Sequence, residues 1–178
     1  MKDKLRKRIL TICVCALLAA LSFVLAYFAK MIFSTSPLRF TIENIPVFIA
    51  SAAYGPVMGM LVGVMADLLS CVVSGMAPIP LITVGAALVG LVSGLVFRFV
   101  KIRPAARTFA GVFAGHAVGS MAVKTIALYG FYGGIVFVRI PIYIGIALLE
   151  SVTLILLFGR KSIRNLIKKA GGELYYDD

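Results

Sequence analysis

The sequence predicts an all-α integral membrane protein with six transmembrane helices and both termini in the cytoplasm. Three observations predict it. Hydrophobic residues make up 61% of the 178-residue chain, charged residues only 14%, and mean hydropathy is +1.05. A soluble domain of this length cannot bury so much apolar side chain. The apolar runs are continuous, whereas a transmembrane barrel would alternate apolar and polar residues. Finally, the positive charge is clustered. Of 18 Lys and Arg, five lie in Lys2–Arg8, four in Arg98–Arg107 and five in Arg160–Lys169. These clusters bracket hydrophobic segments, as cytoplasmic flanks do.

The elements follow in order. Residues 1–8 form a basic cytoplasmic N-terminus. The first span covers 9–33; its apolar run is too long for a signal-peptide core. The second span, 43–54, is short, about 18 Å by helix rise, and cannot cross a bilayer alone. It is tolerable only where protein or a water-filled cavity surrounds it, which implies a cavity opening outward near residues 34–46. Gly55-Pro56 makes an inside turn, since Pro suits the first turn of a new helix. The third span covers 56–74, and residues 74–80, with Gly75, Pro78 and Pro80, form an outside loop. The fourth span covers 81–100 and is followed by a basic inside loop. The fifth covers 106–129. Gly130, Gly133 and Gly134 mark an outside loop, and the sixth span covers 138–159. The spans thus form one membrane domain, 9–159, followed by a cytoplasmic tail, 160–178. With six spans, all three basic clusters share one side.

A net charge of +11 would suggest nucleic acid in a soluble protein. Here its placement beside spans, and the lack of basic-aromatic interleaving, exclude that partner. Cys13, Cys15 and Cys71 sit in apolar runs without metal-ligand spacing and read as small hydrophobes, with Cys71 able to line a cavity. No phosphate-binding loop, metalloprotease motif or nucleophile elbow appears, so no enzyme activity or cofactor is expected.

The ionisable residues inside the spans carry the functional signal, because such groups are costly at membrane depth. Arg39, Glu43, Asn44 and Asp67 interrupt the apolar stretch 38–69. Gly55, Gly59 and Gly63 share a helix face that Asp67 continues; Gly111, Gly115 and Gly119 repeat the step. Such glycines pack helices closely, but packing does not account for Asp67. Arg39, Lys124 and Arg139 share one outer depth. They either snorkel to the interface, as Lys30 does, or converge on an anionic ligand. Arg139, Tyr143, Ile146 and Glu150 share an inward face of the sixth span. His116, Ser120 and Lys124 share one on the fifth, with His116 in a packing or a proton-relay role. On the first span, Ala16, Ala19, Ala20, Ser22 and Ala26 form a small-residue face, for internal packing or for docking another membrane subunit. Cations above mid-depth carboxylates suit a ligand with anionic groups at one end and hydrogen-bond donors at the other.

The ordered set of these motifs resembles the substrate-binding subunits (S components) of energy-coupling factor vitamin transporters, most closely the folate group. The residues that carry the resemblance are Leu38-Arg39-Phe40, Glu43-Asn44-Ile45-Pro46, and Tyr54-Gly55-Pro56 with Gly59, Gly63 and Ala66-Asp67-Leu68-Leu69. Downstream they are Pro80 to Ala86, Gly90-Leu91, Lys124-Thr125, Leu128-Tyr129, Arg139-Ile140-Pro141 and Glu150-Ser151. The resemblance covers residues 9–158. It implies a six-helix S-component bundle in the bacterial cytoplasmic membrane, an outward site and a lid from the loop after the first span. It also implies that Ala16 and Ala20 dock onto a transmembrane coupling subunit and that two cytosolic ATPases drive transport. Arg39 and Arg139 would hold glutamate carboxylates; many members carry Asn where this chain has Lys124.

The expected function is capture of folate or a related pterin-glutamate. Arg39, Lys124 and Arg139 are the candidate carboxylate ligands. Glu43, Asn44, Asp67 and Glu150 are candidates for ring donors, and Phe40, Tyr129 and Tyr132 for stacking. Two alternatives stand beside it: the same architecture for pantothenate or a queuosine precursor, or a small secondary transporter in which Asp67, His116 and Glu150 carry protons.

Overall fold

The computed structural model describes residues 2–32, 42–75 and 77–174, all helices and connecting turns. Helix α1 spans Lys2–Ile32, α2 Ile45–Tyr54, α3 Pro56–Val73, α4 Pro80–Phe99 and α5 Pro104–Gly115. A π-helical segment, His116–Val123, joins α5 to α6, Lys124–Tyr132. A 3-10 segment, Gly133–Val138, leads into α7, Arg139–Gly159, and α8 covers Lys161–Lys169. Among the described residues, four apolar helical stretches are long enough to cross a membrane: Leu5–Ala29, Pro56–Val73, Pro80–Phe99 and Pro104–Gly159. The last reverses at Gly133, whose φ of 62° suits glycine, and α7 packs back on α5. It therefore supplies two crossings, and the short α2 completes the six helices of the bundle.

Several boundaries differ from the sequence expectation. Helix α1 begins within the basic N-terminus, at Lys2. Gly130 lies inside α6, whereas the reversal falls at Gly133, one of the glycines expected to mark the loop. Glu43 and Asn44 form a turn ahead of α2 rather than its first residues. The tail also has structure, since α8 follows α7 after the single residue Arg160.

Helix α2 is the centre of the bundle. It contacts α1, α3, α4 and α7, and seven of its ten residues are buried, including Pro46, Val47 and Phe48. Protein thus surrounds a helix too short to face lipid. Its neighbours approach through glycines. A methyl group at Gly59 would overlap Ser51 of α2, and one at Gly90 of α4 would overlap the Gly59 backbone. Ser51 Oγ pins the junction, lying 2.8 Å from Gly90 O and 2.9 Å from Val47 O. Further along α4, Gly85 and Gly119 face each other across the joint with the π segment.

The three basic clusters meet at one end, which the positive-inside rule makes cytoplasmic. Arg98 lies beside Gly55, and Gly171 beside Lys7 and Thr11 of α1. Arg107 Nη2 donates to Arg98 O. The chain after α8 caps the inner end of α2: Glu173 N–H donates to Ala53 O at 2.9 Å, and Tyr54 O–H to Ala170 O at 3.3 Å.

Candidate functional site

The length of α2 makes the site. Ten residues rise about 15 Å, while the 18 residues of α3 rise about 27 Å from the same inner turn. Above the outer end of α2, at mid-depth, the bundle is therefore left open. A cavity occupies this space, lined by α1, the Glu43–Asn44 turn, α3, the outer end of α4 and Lys124.

Charged and polar groups line it from elements far apart in sequence. Glu43 and Asn44 stand at its floor, held by Ser22 of α1, whose hydroxyl donates to Glu43 O at 2.5 Å. Asp67 of α3 lies on the wall, with Ser70, Cys71 and Ser74 toward the outside. Asp67 Oδ2 accepts from Thr83 Oγ1 of α4 at 2.6 Å, and among the described residues Oδ1 has no hydrogen-bond partner. Lys124 enters from the first residue of α6. It is 9% exposed, and its stem passes over Gly85, where a Cβ would crowd it. No carboxylate lies within ion-pair distance of its ammonium among the described residues. A buried cation without a partner is costly unless a ligand or water satisfies it. Phe23 and Tyr27, with ring centroids 6.0 Å apart, give α1 an aromatic wall on the cavity.

A second polar group lies deeper and is paired mostly within itself, although Glu150 Oε1 is buried without a hydrogen-bond partner among the described residues. Glu150 and His116 are both fully buried, with Glu150 Oε2 2.6 Å from His116 Nε2. The other imidazole nitrogen, Nδ1, is 3.1 Å from Ser120 Oγ. With the carboxylate ionised, Nε2 donates to Glu150 and Nδ1 accepts from Ser120. The rings of Phe48 and Tyr143 flank the imidazole, with centroids at 5.5 and 5.9 Å. Toward the outer face, Arg139 Nη2 donates to Tyr143 Oη at 2.6 Å, and its guanidinium lies 5.3 Å from that ring's centre.

The structure thus brings Glu43, Asn44, Asp67 and Lys124 together. Arg139 and Glu150 stand in the buried seam behind the cavity, although Glu150 comes close to the floor at the Asn44 backbone. Tyr129 is half exposed beside Phe137, and Tyr132 is also exposed; neither lines the cavity. Arg39 and Phe40 lie outside the described residues, as does the lid expected from the loop after the first span. Ala16 and Ala20 are exposed on α1, whereas Cys15, Ala19 and Ser22 turn into the bundle. Sequence reasoning missed Thr83, Phe23 and Tyr27. Thr83 lies within the Pro80–Ala86 motif, but neutral and aromatic side chains leave little trace in an apolar span.

A helical membrane bundle with a cavity lined by charged residues fits a membrane binding subunit. Residues 10–169 match the family model for the substrate-specific component of ECF transporters. The match spans most of the chain, which belongs to this family. No curated protein matches the chain. Members are binding subunits for transport, not enzymes; they work with an energy-coupling module, and this one is a multi-pass protein of the cell membrane.

Proposed function

We propose that this substrate-specific component captures folate or a related pterin-glutamate in the cavity above α2. The observation that carries the reading is the meeting of Glu43, Asn44, Asp67 and Lys124 in one cavity. A donor-rich heterocycle matches the carboxylates of Asp67 and Glu43, and a ligand carboxylate matches the Lys124 ammonium. Phe23 and Tyr27 offer the stacking surface. Arg39, four residues before Glu43 in the sequence, is the candidate second cation for a glutamate tail, while Arg139 reaches the tail only if it leaves Tyr143. Delivery inward depends on a transmembrane coupling subunit and two cytosolic ATPases, with the exposed Ala16 and Ala20 as the docking face. The test is mass spectrometry of ligand co-purified with the protein, followed by calorimetry. Saturable folate binding is expected; a different vitamin in the purified protein would replace folate while leaving the family assignment in place.

A second reading is favoured by one observation. Lys124 is the only cation on the described cavity wall, which suits a ligand with a single anionic group, such as pantothenate. A competition panel separates the two, since pantothenate would then displace the bound ligand and folate would not.

A further inference from the structure

The C-terminal helix α8 lies across the basic end of the bundle rather than continuing α7. Arg160 is extended (φ −81°, ψ 121°) and turns the chain between them. Arg164 Nη1 then reaches back to Phe158 O at 3.1 Å, on α7. At the other end of α8, Ile167 packs with the Ala53 end of α2, and the following Gly171 sits beside Lys7 of α1. The helix therefore runs from the foot of α7 past α2 to the foot of α1, transverse to the spans. A helix in that position occupies the plane of the membrane interface.

Its sequence, KSIRNLIKK, contains no acidic residue. Ile163 and Ile167 face the bundle, while Lys161, Lys168 and Lys169 are exposed. Leu166 is 64% exposed on the flank, where acyl chains rather than water would meet it. Exposed Arg6, Lys7 and Arg8 of α1 stand at the same end, with Glu173 as the nearby acidic residue among the described side chains. Basic residues around an apolar flank at the interface match the anionic headgroups of the adjoining leaflet.

We propose that α8 is an interfacial helix that holds anionic phospholipid headgroups against the cytoplasmic end of the protein. The full chain is purified in detergent supplemented with equal phosphatidylglycerol and phosphatidylcholine, and retained lipid is counted by native mass spectrometry. The wild-type protein should retain phosphatidylglycerol in preference. Lys161→Gln/Lys169→Gln should lower that preference by about thirtyfold. Lys101→Gln/Arg103→Gln, which removes the same charge from the exposed inside loop, should leave most of it. These side chains are all exposed, so both variants should keep the wild-type thermal midpoint. An unchanged preference in the α8 variant overturns the proposal, as does an equal loss in the loop variant, which would make it an effect of net charge. Unchanged lipid retention with lost binding to a purified coupling module also overturns it, and assigns the face to a protein partner.

Discussion

The cavity above α2 and the seam behind it use similar residues to opposite ends. In the seam, Glu150, His116, Ser120, Arg139 and Tyr143 each find a partner inside the protein. In the cavity, the Lys124 ammonium has no ion-pair partner among the described residues, and Asp67 bonds through Oδ2 alone among them; both residues line the open space. Burial of ionisable groups is costly in both places. The seam offsets most of that cost when the protein folds, Glu150 Oε1 excepted, whereas the cavity leaves part of it for a ligand to offset. The difference separates residues that hold the bundle together from residues that recognise a substrate, a distinction that membrane depth alone does not make.

The largest expected effect breaks the seam. Glu150→Ala leaves His116 buried beside Phe48 without its carboxylate, which should cost about 3–5 kcal/mol of stability. Thermal unfolding of the purified protein measures this, and an unchanged midpoint would mean that the pair is not structural. Next is the cavity. Lys124→Met removes the cation but keeps the stem over Gly85. Ligand affinity should fall by about 2 kcal/mol, typical of a charged hydrogen bond, with the thermal midpoint of the empty protein held or raised. A fall in both quantities would place Lys124 with the seam. Thr83→Val frees Asp67 from its hydrogen bond and should change affinity, by calorimetry, by about 1 kcal/mol. The smallest effect is expected at Tyr129, where an Ala substitution should alter affinity by under about 0.5 kcal/mol, as at ordinary surface sites. Tyr27→Ala should cost clearly more, and the reverse order would move the stacking surface to α6.

The sequence shows the six helices because hydropathy, proline starts and glycine steps are local signals. Asp67 and Glu43 stand out because a carboxylate in an apolar run needs a reason. What the sequence conceals is which neighbour each inward face meets. Arg139, Tyr143 and Glu150 do share a face of α7, but that face meets His116 rather than the cavity. The grouping of His116 with Lys124 on one face fails for a structural reason. The intervening segment is π-helical, with hydrogen bonds to the fifth residue, so α-helical spacing does not carry across it. His116 consequently meets α7, whereas Lys124 lines the cavity beside α4. Likewise, the π segment seats Gly119 against Gly85, bringing the Lys124 stem onto α4. Small-residue spacing on α1 left two faces unresolved; burial separates Ala16 and Ala20, outward, from Ala19 and Ser22, inward.

Substrate held in the cavity above α2 would cover Cys71 on its wall, which offers a direct report. The measurement is the rate of maleimide labelling at Cys71, followed by peptide mass mapping, with and without saturating folate. Bound ligand should slow labelling of Cys71 severalfold in the wild-type protein, while Lys124→Met at the same folate concentration should lose much of that protection. Labelling of Cys71 at the same rate with folate shown to be bound would contradict the account and place the substrate elsewhere in the bundle.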